Sequence, residues 1–196
     1  MKHPRPPMST IRSHFEESAQ LTQTLLNDER FWAAMEAASS VMIEALKRGH
    51  KIMSCGNGGS MCDAMHFAEE LSGRYRDNRP ALAAMAFSDP STLTCIGNDY
   101  GFEQVFSRQV ESLSKSGDVL VAISTSGNSK NVLMAAEAAQ RLGVAVVALT
   151  GNGGGALGEL ADAHVCVPWQ GYADRIQEVH IRCIHSWIDA IEQATT

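Results

Sequence analysis

His66 and Glu70 stand four residues apart in MHFAEE, a spacing that puts an imidazole and a carboxylate on one face of a helix. Gln177 and His185 are eight apart in RIQEVHIRCIH, about two helical turns, and share a face of their own. Glu178 and His180 point elsewhere. An imidazole and a carboxylate converging from two helices can act as acid and base in moving a proton. The same groups can instead hold a divalent metal such as zinc, which takes His and carboxylate ligands. A His–Glu pair at this spacing is also common on solvated helices. A histidine on a terminal helix is more often packed or exposed than reactive.

A second constellation carries no charge. ISTSGNS, Ile123 to Ser129, packs three serines, a threonine, an asparagine and a glycine between apolar stretches, and the first charged residue is Lys130. A plain turn needs one Gly or Asn. If this run joins a buried strand to a helix, the helix N-terminus offers unpaired N–H groups and about half a positive charge. Hydroxyls add donors at the same point. Together they make a neutral cradle for a phosphate dianion. The competing reading is an N-cap at Ser126 or Ser129, for which one serine suffices. The pattern GxxxxGK[ST] is absent, which argues against an NTPase.

Two Gly/Asn runs, SCGNGGS (Ser54 to Ser60) and TGNGGG (Thr150 to Gly155), and the loop IGNDYG (Ile96 to Gly101) complete the set. Turn chemistry suffices for TGNGGG. SCGNGGS invites a dinucleotide reading, but Met61 stands where the third small residue belongs, and no acidic partner follows at a strand end. Its Asn57–Gly59 backbone could instead approach a sugar closely.

These residues need a scaffold, and the chain alternates as one would. Helical spacing covers Thr10 to about Asn27, and a second helix runs from Asp28 to Gly49. Strands then read at 51–55, 82–87, 118–123, 144–149 and 164–167, with helices at 60–71, 102–114, 129–142, 155–161 and 172–193. Alternating strands and helices predict a parallel sheet covered on both faces, and VLVAI and VAVVAL are apolar throughout, as doubly buried strands are. The expected class is α/β. The two N-terminal helices are expected to cover a sheet edge or to pack on another subunit.

Composition narrows the function. The 196 residues are 44% hydrophobic with a net charge of -6, so nucleic acid is a poor partner. MKHPRPPM has no apolar stretch behind it and is not a signal peptide; no run approaches the roughly 20 apolar residues that span a bilayer. Five cysteines with no CxxC pair predict reduced thiols in a cytoplasmic protein. Residues 1–9 read as a frayed tail and 10–196 as one domain.

CGNGGSMCDAMHFAEEL, GNDYGF, ISTSGNS and GYADRIQEVHIRCIH, in this order between about Lys51 and Ile188, resemble the phosphoheptose isomerases of the SIS domain family. The segment to about Arg30 resembles them only in being helical. The resemblance implies a three-layer αβα sandwich with a five-stranded parallel sheet, flavodoxin-like, assembled as a homotetramer with active sites between subunits. It implies conversion of sedoheptulose 7-phosphate to glycero-manno-heptose 7-phosphate, the first step toward the activated heptose of lipopolysaccharide core. By the family pattern, Ser124, Thr125, Ser126 and Ser129 bind phosphate. Asn57, Gly58, Gly59, Asn98 and Asp99 touch the sugar, with Gln177 also at the substrate. Glu70 is the general base and His185 the general acid. One zinc per subunit is implied at His66, Glu70, Gln177 and His185. Two other roles exist on this fold: a non-catalytic adaptor that binds the replication initiator and lacks the Glu and the last His, and sugar-phosphate regulators, which usually carry an added DNA-binding domain.

Overall fold

The computed structural model describes residues 11–195. The tail expected at 1–9 lies outside the described residues. Two helices come first, α1 (Ile11–Leu26) and α2 (Glu29–Lys47). Asp28 caps α2, its carboxylate accepting from the Arg30 and Phe31 amides. There follow β1 (Ile52–Gly56), α3 (Gly59–Ser72), β2 (Ala84–Ala86), α4 (Pro90–Tyr100), a 3-10 turn at Phe102–Gln104, and α5 (Ser107–Leu113). The chain ends with β3 (Val119–Ser124), α6 (Lys130–Arg141), β4 (Ala145–Gly151), α7 (Gly155–Leu160), β5 (Ala163–Val167) and α8 (Ala173–Thr195).

The five strands are all parallel, in the order β2-β1-β3-β4-β5. The chain leaves β1 toward one edge and returns to β3 to build the other. The direction of winding therefore reverses between β1 and β3. In such sheets the crevice beyond the strand ends at that reversal is the natural ligand position. SCGNGGS follows β1 and ISTSGNS follows β3, so both fall there.

Successive side chains of a strand face opposite layers. Val119, Val121 and Ile123 join a core with residues of α1, α2, α3 and α8. Leu120 and Ala122 join a second core with residues of α5, α6 and α7. This is the three-layer αβα sandwich that the alternation and the resemblance predict. Trp187, buried on α8, donates from its indole to the Met35 carbonyl at 3.1 Å and locks α8 to α2.

Two expectations change. Residues 96–101 are not a loop: all but Gly101 belong to α4. Asp89 accepts from the Thr92 amide and Pro90 takes the first helical turn, a start signal that reads as a turn when seen alone. The helix expected over 102–114 is correspondingly a 3-10 turn and the short α5. The second refinement concerns α2, which covers the edge strand β5 and also reaches over the sheet face, with Met35, Ala38 and Met42 in the same core as Val147 and Val165. Only Leu21 and Leu25 of α1 are buried, while Ile11 and Phe15 are 82% and 74% exposed.

Candidate active site

The loop after β3 is a cup of short side chains. Ser124 is buried and its Oγ lies 3.0 Å from Ser129 Oγ. Ser129 occupies the N-cap position of α6 but its side chain makes no capping bond. Its hydroxyl therefore does not serve the simple capping role. Ser126 is exposed and accepts from the Asn128 amide at 3.2 Å; Thr125 is half-buried beside it. Ser124, Thr125, Ser126 and Ser129 thus share one turn leading into α6, whose first N–H groups have no intrahelical partner.

TGNGGG supports this cup from behind. Gly151 donates its N–H to the Thr125 carbonyl at 3.0 Å, and Leu157 donates to the Gly127 carbonyl at 2.9 Å. Asn128 accepts from the Ala156 amide through Oδ1. Gly127 has φ +65°, and a Cβ there would fall 1.8 Å from the Gly154 carbonyl oxygen. The glycines are needed because two backbones touch, which exceeds the turn role expected from sequence.

The loop after β1 is tied to the same cup by a residue the sequence reading missed. Asn57 and Asn131 exchange two amide hydrogen bonds, both 2.8 Å. Asn131 is buried in the first turn of α6. Gly58 (φ +56°) and Gly59 are exposed, so their backbone faces the crevice. A Cβ on Gly59 would lie 2.6 Å from Gln177 Nε2, so the Gln177 amide rests on this loop. Asn98 and Asp99 end α4, both exposed, and bond to each other at 2.8 Å. No described hydrogen bond joins them to the cup.

The acid–base candidates meet on the layer formed by α3 and α8. His66 Nε2 and His185 Nε2 are 3.0 Å apart, and Glu70 Oε1 is 3.6 Å from the same His66 nitrogen. Glu69, which sequence reasoning passed over, faces the other imidazole nitrogen at 3.2 Å. His66, Glu69 and Glu70 also lie close enough to hold one ion. His66, Glu70 and His185 are brought together, while Gln177 has no described hydrogen bond to them. Asp63, one turn before His66, keeps a buried Oδ2 without a partner; burial pushes its pKa up to about 6 against the pull of His66.

His180 does point elsewhere, into the core. Its Nε2–H donates to the Thr150 carbonyl at 3.1 Å, and burial lowers its pKa to about 4. Thr150 Oγ1 in turn lies 2.7 Å from His164 Nε2, whose pKa burial also lowers.

A sequence model of the SIS domain matches residues 14–151. That span begins inside α1, so the N-terminal helices share the family pattern more fully than the motifs from Lys51 onward imply. The phosphoheptose isomerase of Vibrio parahaemolyticus is 55% identical over 183 residues, covering 93% of this chain and 96% of that one. Among solved structures, phosphoheptose isomerase GmhA from Neisseria gonorrhoeae superposes with a TM-score of 0.87 at 43% identity, covering 93% and 97% of the two chains. A phosphoheptose isomerase from Francisella tularensis gives 0.88 at 40% identity, covering 93% and 96%.

Proposed function

We infer the reaction from one premise: the chain belongs to the SIS domain family and, within it, to the phosphoheptose isomerases. It is an isomerase that interconverts D-sedoheptulose 7-phosphate and D-glycero-D-manno-heptose 7-phosphate. The observation that carries the residue assignment is the meeting of His66, Glu70 and His185 across α3 and α8. The non-catalytic adaptor reading loses its basis, because both residues that such a protein lacks are present.

Ser124, Thr125, Ser126 and Ser129, with the first amides of α6, hold the phosphate. Asn57, Gly58, Gly59, Asn98 and Asp99 hold the sugar, and Gln177 reaches the substrate from α8. Glu70 takes a proton from C1 of the ketose. The electron pair of that C–H bond forms the C1–C2 double bond of an enediol as O2 is protonated. His185 supplies that proton and later removes the one on O1, while Glu70 returns its proton to C2. Such participation typically contributes about 10²–10⁴-fold.

The chemistry of the donors also suits zinc, which takes imidazole and carboxylate ligands. Two imidazole nitrogens 3.0 Å apart approach the edge of a tetrahedron with metal–nitrogen bonds of about 2.0–2.1 Å, an edge of about 3.3 Å. One zinc per subunit at His66, Glu70, Gln177 and His185 would polarise the substrate carbonyl. A homotetramer with active sites between subunits is supported by the exposed Ile11 and Phe15 of α1 and by the layout of the site. His66 and Glu70 lie about 10 and 16 Å along α3 from Gly59, away from the cup, so a neighbouring chain can complete each site. The reaction supplies the activated heptose of lipopolysaccharide core, in the cytoplasm; no described helix is long and apolar enough to cross a membrane.

The test is turnover of sedoheptulose 7-phosphate by the purified chain, before and after dialysis against a chelator, with metal analysis of both samples. Conversion to the aldose is expected. Substrate binding without conversion sinks the enzymatic reading. Full activity in metal-free protein removes zinc from it.

A further inference from the structure

Both members of the acid–base pair are gripped by one short stretch of chain, GRYRDNRP, between α3 and β2. Resting on the isomerase reading above, we propose that this stretch is a brace in which Tyr75 positions His185 and Arg79 positions Glu70.

The Tyr75 ring stacks on the His185 imidazole, with centroids 5.8 Å apart and planes 26° from parallel. His66 meets the same imidazole edge-on, at 5.2 Å and 69°. His185 is thus held on a face by one ring while its Nε2 addresses the other. Tyr75 is fixed in turn: the Arg76 guanidinium lies 5.2 Å from its centroid and donates to Asp189, one turn beyond His185, at 2.9 Å. An imidazole that must both donate and accept needs a fixed ring plane, and a half-buried side chain on α8 does not secure one alone.

Glu70 has a different weakness. It lies in the last turn of α3, which ends at Ser72, where carbonyls lack intrahelical partners and helices fray. Arg79 occupies that end. Its Nη2 donates to the Glu70 carbonyl at 2.7 Å, and its Nη1 to the carbonyls of Leu71, Gly73 and Pro80 at 2.8, 3.3 and 3.1 Å. Its Nε donates to Glu192 at 3.0 Å, and both side chains are buried, at 0% and 7% exposure. Glu192 also accepts from the Arg76 amide. A cation at a helix C-terminus is favourable, and only the guanidinium fork reaches several carbonyls and a carboxylate together. A plain anchor would not need to grip the backbone of the reacting carboxylate and the face of the reacting imidazole at once.

Four proteins test this: wild type, Tyr75→Ala, Tyr75→Phe, and Arg79→Met/Glu192→Leu, which removes both buried charges together. Displacements near 1 Å at a reacting group can lower rates about 10²-fold. Tyr75→Ala is expected to lose kcat on that scale while KM for sedoheptulose 7-phosphate stays within about threefold. Tyr75→Phe keeps the ring and most of the rate. The double variant folds by circular dichroism and loses kcat. A crystal structure of Tyr75→Ala shows His185 turned away from His66. The brace is overturned if Tyr75→Ala retains kcat, if Phe rescues no better than Ala, or if His185 keeps its place. A double variant that fails to fold, or that folds with full kcat, removes Arg79 from the proposal. Wild type that converts no ketose defeats the isomerase reading instead, and the crystallographic arm then decides the brace by itself.

Discussion

At the ends of β3 and β4 the groups proposed to hold phosphate sit on short residues, and other backbone holds them: Gly151 N–H to the Thr125 carbonyl, Leu157 N–H to the Gly127 carbonyl. On α3 and α8 the groups proposed to react end long side chains, and other side chains hold them: Glu69 against His66, Tyr75 against His185. Backbone held by backbone has few alternative states, which would preorganise the cup for the phosphate proposed to bind there. Side chains held by side chains owe their aim to those neighbours, so the loss of one neighbour redirects the group it holds. A substitution should therefore damage binding in one region and rate in the other.

The sharpest break of that contrast is Glu70→Gln. It removes the proposed base and leaves the cup intact, so kcat should fall about 10³-fold. Binding of inorganic phosphate, followed by calorimetry, should stay within about twofold. Equal losses of kcat and phosphate affinity would mean that the two regions are not separable. Next comes Ser124→Ala/Ser129→Ala. A hydrogen bond to a charged group is worth about 1.5–3 kcal/mol, so two lost donors should raise KM about 10²-fold or more with kcat little changed. A fall in kcat at unchanged KM would place the phosphate elsewhere.

How much of each region the sequence reveals follows from the same contrast. The cup is legible because it is local: seven consecutive residues carry it, and apolar strands mark where it sits. Glu70 and His66 are legible because helix geometry turns a spacing of four into one face. What the sequence does not reveal is contact between distant segments. Asn131 reads as one polar residue in an Ala-rich helix until the fold sets it against Asn57. Tyr75 and Arg79 read as a polar connection until α8 arrives beside them. The helix at Pro90–Tyr100 was hidden for a local reason, because its Asp89-Pro90 start shares its residue types with turns.

Asn131→Ala gives a smaller effect that joins the regions. It removes two amide bonds and leaves Asn57 unpaired, which should cost about 2 kcal/mol of stability in urea unfolding. The loop of Gly58 and Gly59 loses its tie to the cup, so KM should rise about tenfold while kcat holds. A KM unchanged by this substitution would show that the first loop keeps its place without the amide pair.

The smallest effect concerns His180, which rides on the helix of His185 yet bonds to the strand that backs the cup. Burial holds it neutral, with a pKa of about 4 against its usual 6.5. As pH falls below 6.5 the unfolded chain takes up this proton before the folded one does. Stability is therefore complete above about pH 6.5 and drains away down to about pH 4, by at most about 3 kcal/mol from this group. His164, also lowered by burial, adds to the same trend. Asp63, raised to about 6, opposes it, because the folded chain binds that proton first. The difference between wild type and His180→Gln isolates the one group, since glutamine keeps a donor for the Thr150 carbonyl and does not titrate. Urea unfolding at pH 7, 6, 5 and 4 should show the variant losing less stability than wild type at each step down. Parallel curves would mean that His180 takes up its proton in the fold as readily as in the unfolded chain, and that burial does not hold it neutral.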